Sequence, residues 1–244
     1  MSTVDHERLT NLYGSGAYLS HSPDWSEGEV GEKVRGACEF LAAAGYDRVR
    51  TILDVGCGTG GLLEGLVRRL PAVERGLGID IAEDAIRLAD RFRGKDLPIE
   101  LRCGTIADVD GTFDLAVVSH VLEHVVDPAA FLEEVFSRAT VAYINVPIEF
   151  NVLYAARAGV QKGQYVKYGH VHFFNEAFLD EFLVCNGYEI IERGYGTEFR
   201  AQKHAGLGRV VHFLREALGL FGRGRAARWL GGFSYQVLIR RAAR

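Results

Sequence analysis

Short apolar runs and amphipathic stretches alternate along this chain from residue 50 onward. The runs have the length of buried strands, and the stretches between them space their apolar residues as a helix with one buried face does. This alternation predicts right-handed crossovers between parallel strands, and therefore an α/β sheet with helices on both faces. We predict strands near 50–55, 76–81, 99–103, 113–119, 140–146, 188–193 and 233–240, with helices near 30–44, 61–70, 83–93, 128–138 and 175–186.

The domain organisation follows from where the alternation starts and where it is interrupted. Residues 1–48 precede the first strand and are predicted to form an N-terminal helical cap, whose segment 13–18 could fold over a ligand or remain a loose terminus. Residues 49–244 are the predicted main domain, with insertions at about 147–174 and 201–231. The first insertion lacks periodicity and has the length of a functional lid or a small subdomain.

The second insertion mixes large apolar residues with arginines. A basic amphipathic helix of this kind could rest on a membrane surface. We favour a helix packed over the sheet, because the chain has a net charge of -4 at pH 7 and shows no second anchoring signal. The same net charge argues against a general nucleic-acid surface, which needs a basic excess.

The remaining composition predicts a cytoplasmic globular protein. Its four cysteines are scattered without metal-binding spacing, so neither a disulfide nor a metal site is predicted. No apolar run reaches the roughly 18 residues that span a bilayer. The oligomeric state stays open.

The loop after the first predicted strand carries the strongest chemical signal. Residues 54–60 read Asp-Val-Gly-Cys-Gly-Thr-Gly. Glycines let a backbone approach a ligand closely, and the following helix supplies unpaired N–H donors, so the loop predicts a nucleotide-type cofactor. Gly56, Gly58 and Gly61 also fit G-x-G-x-x-G, which leaves NAD as an alternative. The carboxylate of Asp54 fits poorly beside a pyrophosphate but suits the ammonium and sulfonium of S-adenosylmethionine.

This loop resembles the first motif of the class I S-adenosylmethionine-dependent methyltransferases. The resemblance implies a Rossmann-like fold of seven mostly parallel strands whose final strand is antiparallel, a place that the predicted strand at 233–240 fits. It also implies that the loop holds the methionine end of the cofactor, through Asp54, Gly56, Cys57, Gly58 and Gly60.

The second and third strands end in candidates for the nucleoside part of the cofactor. Asp80 can accept both ribose hydroxyls, although a cap for the next helix is the alternative, and Ile81 offers an apolar face to adenine. Many relatives carry an acidic residue where this chain has Thr105. Adenine recognition therefore stays open between Thr105, the backbone of Ile106, and Asp108.

The fourth strand leads into a segment at 119–125 that reads Ser-His-Val-Leu-Glu-His-Val. It resembles the fourth motif of ubiquinone-pathway O-methyltransferases and of the small-molecule methyltransferases around them. Ser119 and His120 are expected at the cofactor, and His120 is the first candidate for a catalytic base, a role that contributes roughly 10²- to 10⁴-fold. His124 shares a face with His120 if the segment is helical, and either contacts substrate or holds the loop.

A second histidine segment, 169–174, reads Gly-His-Val-His-Phe-Phe and resembles the His-x-x-Phe-Phe pattern of the same group. His170 and His172 alternate, so only one can face the pocket in an extended chain, and we prefer His170 as the second catalytic candidate. His172, Tyr165 and Tyr168 are candidates for substrate contact. The spacing of these histidines does not require a metal.

These features predict methyl transfer from S-adenosylmethionine to a small-molecule acceptor, most simply O-methylation of a metabolite or natural-product intermediate. N-methylation of an amino sugar or amine is the alternative within this chemistry. Two other classes stay open: an oxidoreductase that binds NAD, and a protein that binds S-adenosylmethionine without catalysis or for a non-methyl transfer or cyclisation.

Overall fold

The computed structural model describes residues 27–92, 96–157, 159–201 and 206–243. The segment 13–18, expected to fold over a ligand or stay loose, lies outside the described residues. The strands among the described residues are β1 Thr51–Val55, β2 Arg75–Asp80, β3 Ile99–Cys103, β4 Phe113–Ser119, β5 Ala139–Pro147, β6 Tyr188–Gly196 and β7 Ser234–Arg241.

These strands form one seven-stranded sheet in the order β3-β2-β1-β4-β5-β7-β6. The pairs from β3 to β5 are parallel, and β7 lies antiparallel between β5 and β6. The predicted α/β Rossmann-like sheet with an antiparallel terminal strand is thereby confirmed. The strand order reverses between β1 and β4, so a crevice opens at the carboxyl ends of these two strands, where open α/β sheets bind ligands.

Helices cover both faces of the sheet, as the apolar periodicity predicts. Alternate residues of β1 point to opposite faces: Ile52 belongs to one core cluster with Leu41 and Leu66, whereas Leu53 belongs to the other with Leu132. The longer helices are α1 Val30–Ala43, α2 Gly61–Arg69, α3 Glu83–Phe92, α4 Pro128–Arg138, α7 Glu176–Cys185, α8 Leu207–Leu220 and α9 Arg223–Leu230, with the short α5 Val152–Ala155 and α6 Val160–Gly163 between α4 and α7.

The first insertion leaves β5 and returns beside it. It contains α5, α6 and a single π-helical turn at Gln164–Tyr168. An isolated bridge between Ile148 and Phe174 closes its two ends, and Asn175 then caps α7 by accepting from the amide of Phe178 at 2.9 Å. The insertion therefore begins and ends at the carboxyl edge of the sheet.

The second insertion differs from the prediction of one helix packed over the sheet. It forms two helices, α8 and α9, and its large apolar side chains are mostly exposed, 41% at Leu214 and 68% at Phe213. The buried residue is instead Arg215, whose Nη2 donates to the carbonyl of Leu230 at 3.0 Å and whose guanidinium lies over the ring of Phe199. Arg215 thus takes an inward position of α8, and most of the large apolar side chains of the insertion lie outward.

The described helices include none that is both long and apolar enough to cross a membrane.

Candidate active site

The loop between β1 and α2 turns back tightly onto the end of β2. The backbone amides of Gly56 and Cys57 both donate to the carbonyl of Ile79, at 2.8 and 3.0 Å. Gly56 has φ 72°, and a Cβ at that position would collide with the side chain of Val121. Glycine is required there, because another residue would strain the backbone and displace the loop that follows β4.

α2 begins directly after this loop. Its N-cap residue is Gly60, which has φ 79° and no side chain to cap the helix. The first N–H groups of α2 therefore lie at the carboxyl edge of the sheet together with the positive end of the helix dipole. This end of α2 can take the anionic group of a ligand.

Two buried carboxylates lie beneath the loop. Asp54 is 2% exposed, and its Oδ2 has no hydrogen-bond partner among the described residues. Burial raises the pKa of Asp54 to about 7, the nearby Asp80 adds to the rise, and Lys33 and the amide of Leu63 oppose it. A cation that contacts the unpartnered oxygen would stabilise the ionised form of this buried carboxylate.

Asp80 is tied to the backbone that follows β1 and to the backbone that follows β2. Its Oδ2 accepts from the amide of Gly58 and its Oδ1 from the amide of Ala82, each at 2.8 Å. Asp80 thus holds the glycine loop and the turn after β2 together. Each carboxylate oxygen keeps a second lone pair for a ligand hydroxyl. Ile81 beside it is 57% exposed, as a residue that faces a ligand would be.

The turn after β3 is closed by its own side chains. The Oδ2 of Asp108 accepts from the amide and the hydroxyl of Thr105, at 2.8 and 2.9 Å, and Ile106 between them is buried. Of the candidates for adenine recognition, the carboxylate of Asp108 is therefore already engaged in a capping box.

β4 ends in a strained residue. Among the residues that the structure describes, His120 is the one non-glycine with a positive φ, 57°. Its amide donates to the carbonyl of Asn145 at 2.8 Å, and the Asn145 side chain donates to the hydroxyl of Ser119 at 3.3 Å. The left-handed conformation of this residue changes the direction of the backbone after β4. Backbone strain of this kind is typical of functional sites.

A cluster of imidazoles and carboxylates follows β4. Glu123 is 1% exposed, and its Oε1 lies 3.5 Å from Nδ1 of His120 and 3.9 Å from Nε2 of His124. The rings of His124 and His170 meet edge to face with centroids 4.7 Å apart. Nδ1 of His170 lies 2.6 Å from Oε2 of the buried Glu149. The structure thus brings three of the predicted histidines to one place.

The protonation states in this cluster follow from burial. Burial lowers the pKa of His124 to about 4, and it also lowers the pKa of His120 and of His170. Burial, reinforced by Glu123, raises the pKa of Glu149 to about 8. The imidazoles are therefore neutral near pH 7, and a neutral imidazole can accept a proton or bind a metal.

The remaining substrate candidates are spread along the first insertion. The ring of Tyr168 lies 6.3 Å from that of His170, close to the cluster. Tyr165 is 38% exposed, and His172 packs against Phe174 with centroids 5.9 Å apart. The structure therefore places Tyr168 beside the imidazole cluster.

Several buried polar residues at this edge were not predicted. Glu198, 5% exposed, accepts from the side chains of Asn145 and Ser234, at 3.1 and 2.8 Å. Lys33 on α1 is close enough to lower the pKa of both Asp54 and His120. Glu198 comes from the turn after β6, and no local pattern marks it, whereas Glu123 and Glu149 stand within the segments that drew attention to their histidines.

Comparison with known families gives one match that covers most of the chain. A family described as a methyltransferase domain matches residues 28–193. The mitochondrial ubiquinone biosynthesis O-methyltransferase of Saccharomyces cerevisiae is 38% identical over 92 residues, which are 36% of this chain and 29% of that protein. The enzyme of the same name from Rhodopseudomonas palustris is 39% identical over 84 residues, 33% of this chain and 32% of that protein. The aligned part thus spans about a third of the length of these curated relatives.

Solved structures extend the likeness in fold over nearly the whole chain. Magnesium protoporphyrin IX methyltransferase from Synechocystis, solved with bound S-adenosylhomocysteine, has a TM-score of 0.57 at 18% identity and covers 98% of this chain and 95% of its own. The plantazolicin methyltransferase BpumL has a TM-score of 0.56 at 15% identity, with 98% and 96% covered. At these identities the likeness shows the fold. The sequence match over residues 28–193 establishes the family: this chain belongs to the methyltransferase-domain family, as its resemblance to the class I methyltransferases predicts.

Proposed function

We propose that this protein transfers the methyl group of S-adenosylmethionine to a hydroxyl oxygen of a small molecule. The observation that carries the proposal is the pairing of two sites at one sheet edge. The buried Asp54 lies beneath the glycine loop with Oδ2 unsatisfied among the described residues, and His120 follows the neighbouring strand β4. One site suits a cationic cofactor, and the other suits an acceptor that must lose a proton.

The cofactor side is complementary to a zwitterion. Asp54 would bind the ammonium group of the methionine part, and the open N-terminus of α2 would take its carboxylate. Asp80 would accept from the ribose hydroxyls while it keeps its bonds to Gly58 and Ala82, and the exposed Ile81 would cover adenine. Bound S-adenosylhomocysteine and S-adenosylmethionine in structures of the protoporphyrin methyltransferase support this choice.

The chemistry requires alignment more than covalent catalysis. A lone pair of the acceptor oxygen forms the new bond to the methyl carbon, and the carbon–sulfur pair returns to sulfur, which turns the sulfonium into a thioether. The hydroxyl proton passes to a neutral imidazole, that of His120 or His170. Holding oxygen, carbon and sulfur in line supplies most of the rate enhancement in such a displacement.

Oxygen is the acceptor atom that the relatives support, since the matched curated enzymes are named O-methyltransferases. A binding site for NAD is disfavoured by charge. Asp54 is buried beneath the glycine loop, where a pyrophosphate would meet its carboxylate.

The test is transfer from S-adenosylmethionine with a deuterated methyl group to a panel of phenols and to anilines of matched shape, followed by mass spectrometry. We expect labelled methyl ethers, and we expect no product from the protein inactivated by heat. Labelled products from the anilines alone would replace oxygen by nitrogen as the acceptor atom. Bound cofactor without any labelled product would remove the proposed activity.

A further inference from the structure

The carboxylate of Glu123 lacks the partners that a buried charge requires. It is 1% exposed, and neither of its oxygens has a hydrogen-bond partner in the described part of the chain. Imidazole nitrogens of His120 and His124 lie 3.5 and 3.9 Å from its Oε1. A buried carboxylate is costly unless a cation or donors compensate it. The molecule therefore has a buried position suited to a cation.

The surrounding side chains already have the spacing of a ligand set. Glu123, His124 and His170 each offer one ligand atom, and these atoms all lie within 4.8 Å of one another. Ligands of a tetrahedral zinc ion, at roughly 2.0–2.2 Å from the metal, are about 3.4 Å apart. Small side-chain rotations would bring the three atoms to that separation.

The imidazoles of His124 and His170 are each also held by a second contact. Nδ1 of His170 faces Oε2 of Glu149 at 2.6 Å, which leaves Nε2 for another partner. His124 hydrogen-bonds the backbone of Gly169, and its Nε2 is the nitrogen nearer to Glu123. A metal-bound histidine typically gives its other ring nitrogen to a carboxylate or a backbone carbonyl, which fixes the ring.

We propose that Glu123, His124 and His170 bind a divalent metal ion of the zinc type. Two imidazoles and one carboxylate suit zinc and its neighbours in the first transition row, whereas magnesium prefers an all-oxygen shell. Three protein ligands leave a coordination position open. The inference departs from the sequence prediction of no metal, because His170 is far along the chain from the adjacent Glu123 and His124, so no local spacing marks the set.

The position of this metal site deepens the proposed function, on which this step rests. Glu123 and His124 follow β4 beside His120, and His170 comes from the first insertion. With His170 bound to the metal, His120 is the imidazole that accepts the hydroxyl proton. The open coordination position would bind the acceptor through its hydroxyl oxygen, and a metal lowers the pKa of a bound hydroxyl. The favoured acceptors are then molecules whose hydroxyl has a second oxygen beside it, since a zinc ion that expands from four to five ligands can hold two adjacent oxygens.

The test is metal binding, measured without cofactor or acceptor. The full chain is dialysed against a chelator and then titrated with zinc and, in parallel, with magnesium by calorimetry. Cobalt(II) serves as a visible-absorption probe of a low-coordinate site. We expect one zinc ion per chain, no comparable binding of magnesium, and cobalt bands that zinc abolishes.

Variants locate the site. Glu123→Gln and His170→Asn should each weaken zinc binding at least about 100-fold, and Glu149→Gln about 10- to 100-fold. The control His212→Gln removes an imidazole outside the set and should bind zinc as the wild type does. Thermal unfolding shows which variants fold. If Glu123→Gln does not fold, the zinc affinity of His170→Asn tests the site in its place.

Absence of zinc binding by the wild type, or equal binding by folded Glu123→Gln and His170→Asn, overturns the metal site. These outcomes are separable from failure of the proposed function. Binding of S-adenosylmethionine and labelled ethers without zinc binding would remove the metal site alone. Zinc binding without any methyl transfer would remove the proposed activity and leave the metal site.

Discussion

Asp54 couples ligand binding to its own protonation. Burial, with a contribution from Asp80, raises its pKa to about 7, so the carboxyl group is partly protonated near neutral pH in the ligand-free protein. A cationic ligand binds the ionised form and must therefore displace the proton. Ionisation of Asp54 favours binding of a cation but lowers the free energy of unfolding of the ligand-free protein, because a raised pKa means that the folded state favours the neutral group.

We expect the affinity for S-adenosylmethionine to rise between about pH 6 and 7.5 in the wild type. Asp54→Asn should bind at least about tenfold more weakly and lose this rise. The stabilising effect of neutral Asp54 is present below the ordinary pKa of 3.8 and is lost as the pH rises through about 7. Ligand-free Asp54→Asn should therefore unfold at a higher temperature than the wild type at pH 8.

Calorimetry and thermal unfolding over this pH range check both signs. Asp110→Asn is the matched control, because Asp110 is exposed and lies outside the site. A wild-type affinity with the same pH dependence as that of Asp54→Asn would show that Asp54 does not bind the cation.

His120 combines a strained backbone with a neutral imidazole at the end of β4. Substitution by alanine would add strain, since non-glycine residues other than asparagine, aspartate and histidine rarely adopt this conformation. His120→Asn keeps a residue that tolerates the left-handed region and removes the base. It is therefore the cleaner variant.

We expect His120→Asn to bind S-adenosylmethionine as the wild type does and to turn over roughly 10²- to 10⁴-fold more slowly, as loss of a general base predicts. Asp80→Asn should instead weaken cofactor binding, because it removes a carboxylate beside the ribose position. The two variants are compared by calorimetry and by single-turnover methyl transfer. Equal loss of cofactor affinity in both would assign His120 to the cofactor pocket.

At the scale of elements, the apolar pattern was sufficient for strands and helices that pack on the sheet. β3 and β4 begin and end where the pattern predicts, at Ile99–Cys103 and Phe113–Ser119. At α8 the pattern is not sufficient, because amphipathicity shows that a helix has two sides but not which side the rest of the fold will cover. The buried guanidinium of Arg215 donates from Nη2 to the carbonyl of Leu230, whereas its Nε has no hydrogen-bond partner among the described residues.

Arg215→Ala should lower the free energy of unfolding by about 1–3 kcal/mol. It removes the donor to Leu230 and the packing of the guanidinium on Phe199. Arg209→Ala, at an exposed position of the same helix, should change it by less than about 0.5 kcal/mol. Urea unfolding of both variants measures the difference. Equal, small effects would mean that Arg215 does not anchor α8.

The candidate site could be predicted from sequence only in its local parts. The glycine loop and the pair of His120 and His124 are read from short spacings. The contact between Glu149 and His170 spans an insertion, and Glu198 reaches Asn145 from another strand's end, so their proximity depends on the whole sheet. Sequence patterns do not record contacts of that range.

At the scale of the whole molecule, the two proposed binding sites lie at the ends of different strands of the sheet. In the proposed function, β1 and β2 present the carboxylates for the cofactor, and the segments after β4 and β5 present the imidazoles and carboxylates for the acceptor. The crevice at the reversal of strand order lies between these two halves. The fold fixes this division but not the acceptor, because many reactions share one fold.

The most direct test of the cofactor assignment is a calorimetric titration of the wild type with S-adenosylmethionine, S-adenosylhomocysteine and NAD in parallel. We expect both sulfur compounds to bind with dissociation constants on the order of micromolar, within the range usual for enzyme ligands, and NAD to give no signal. Asp54→Asn should weaken the binding of both sulfur compounds. If NAD binds and neither sulfur compound gives a binding signal, the assignment is contradicted and the glycine loop is a dinucleotide site.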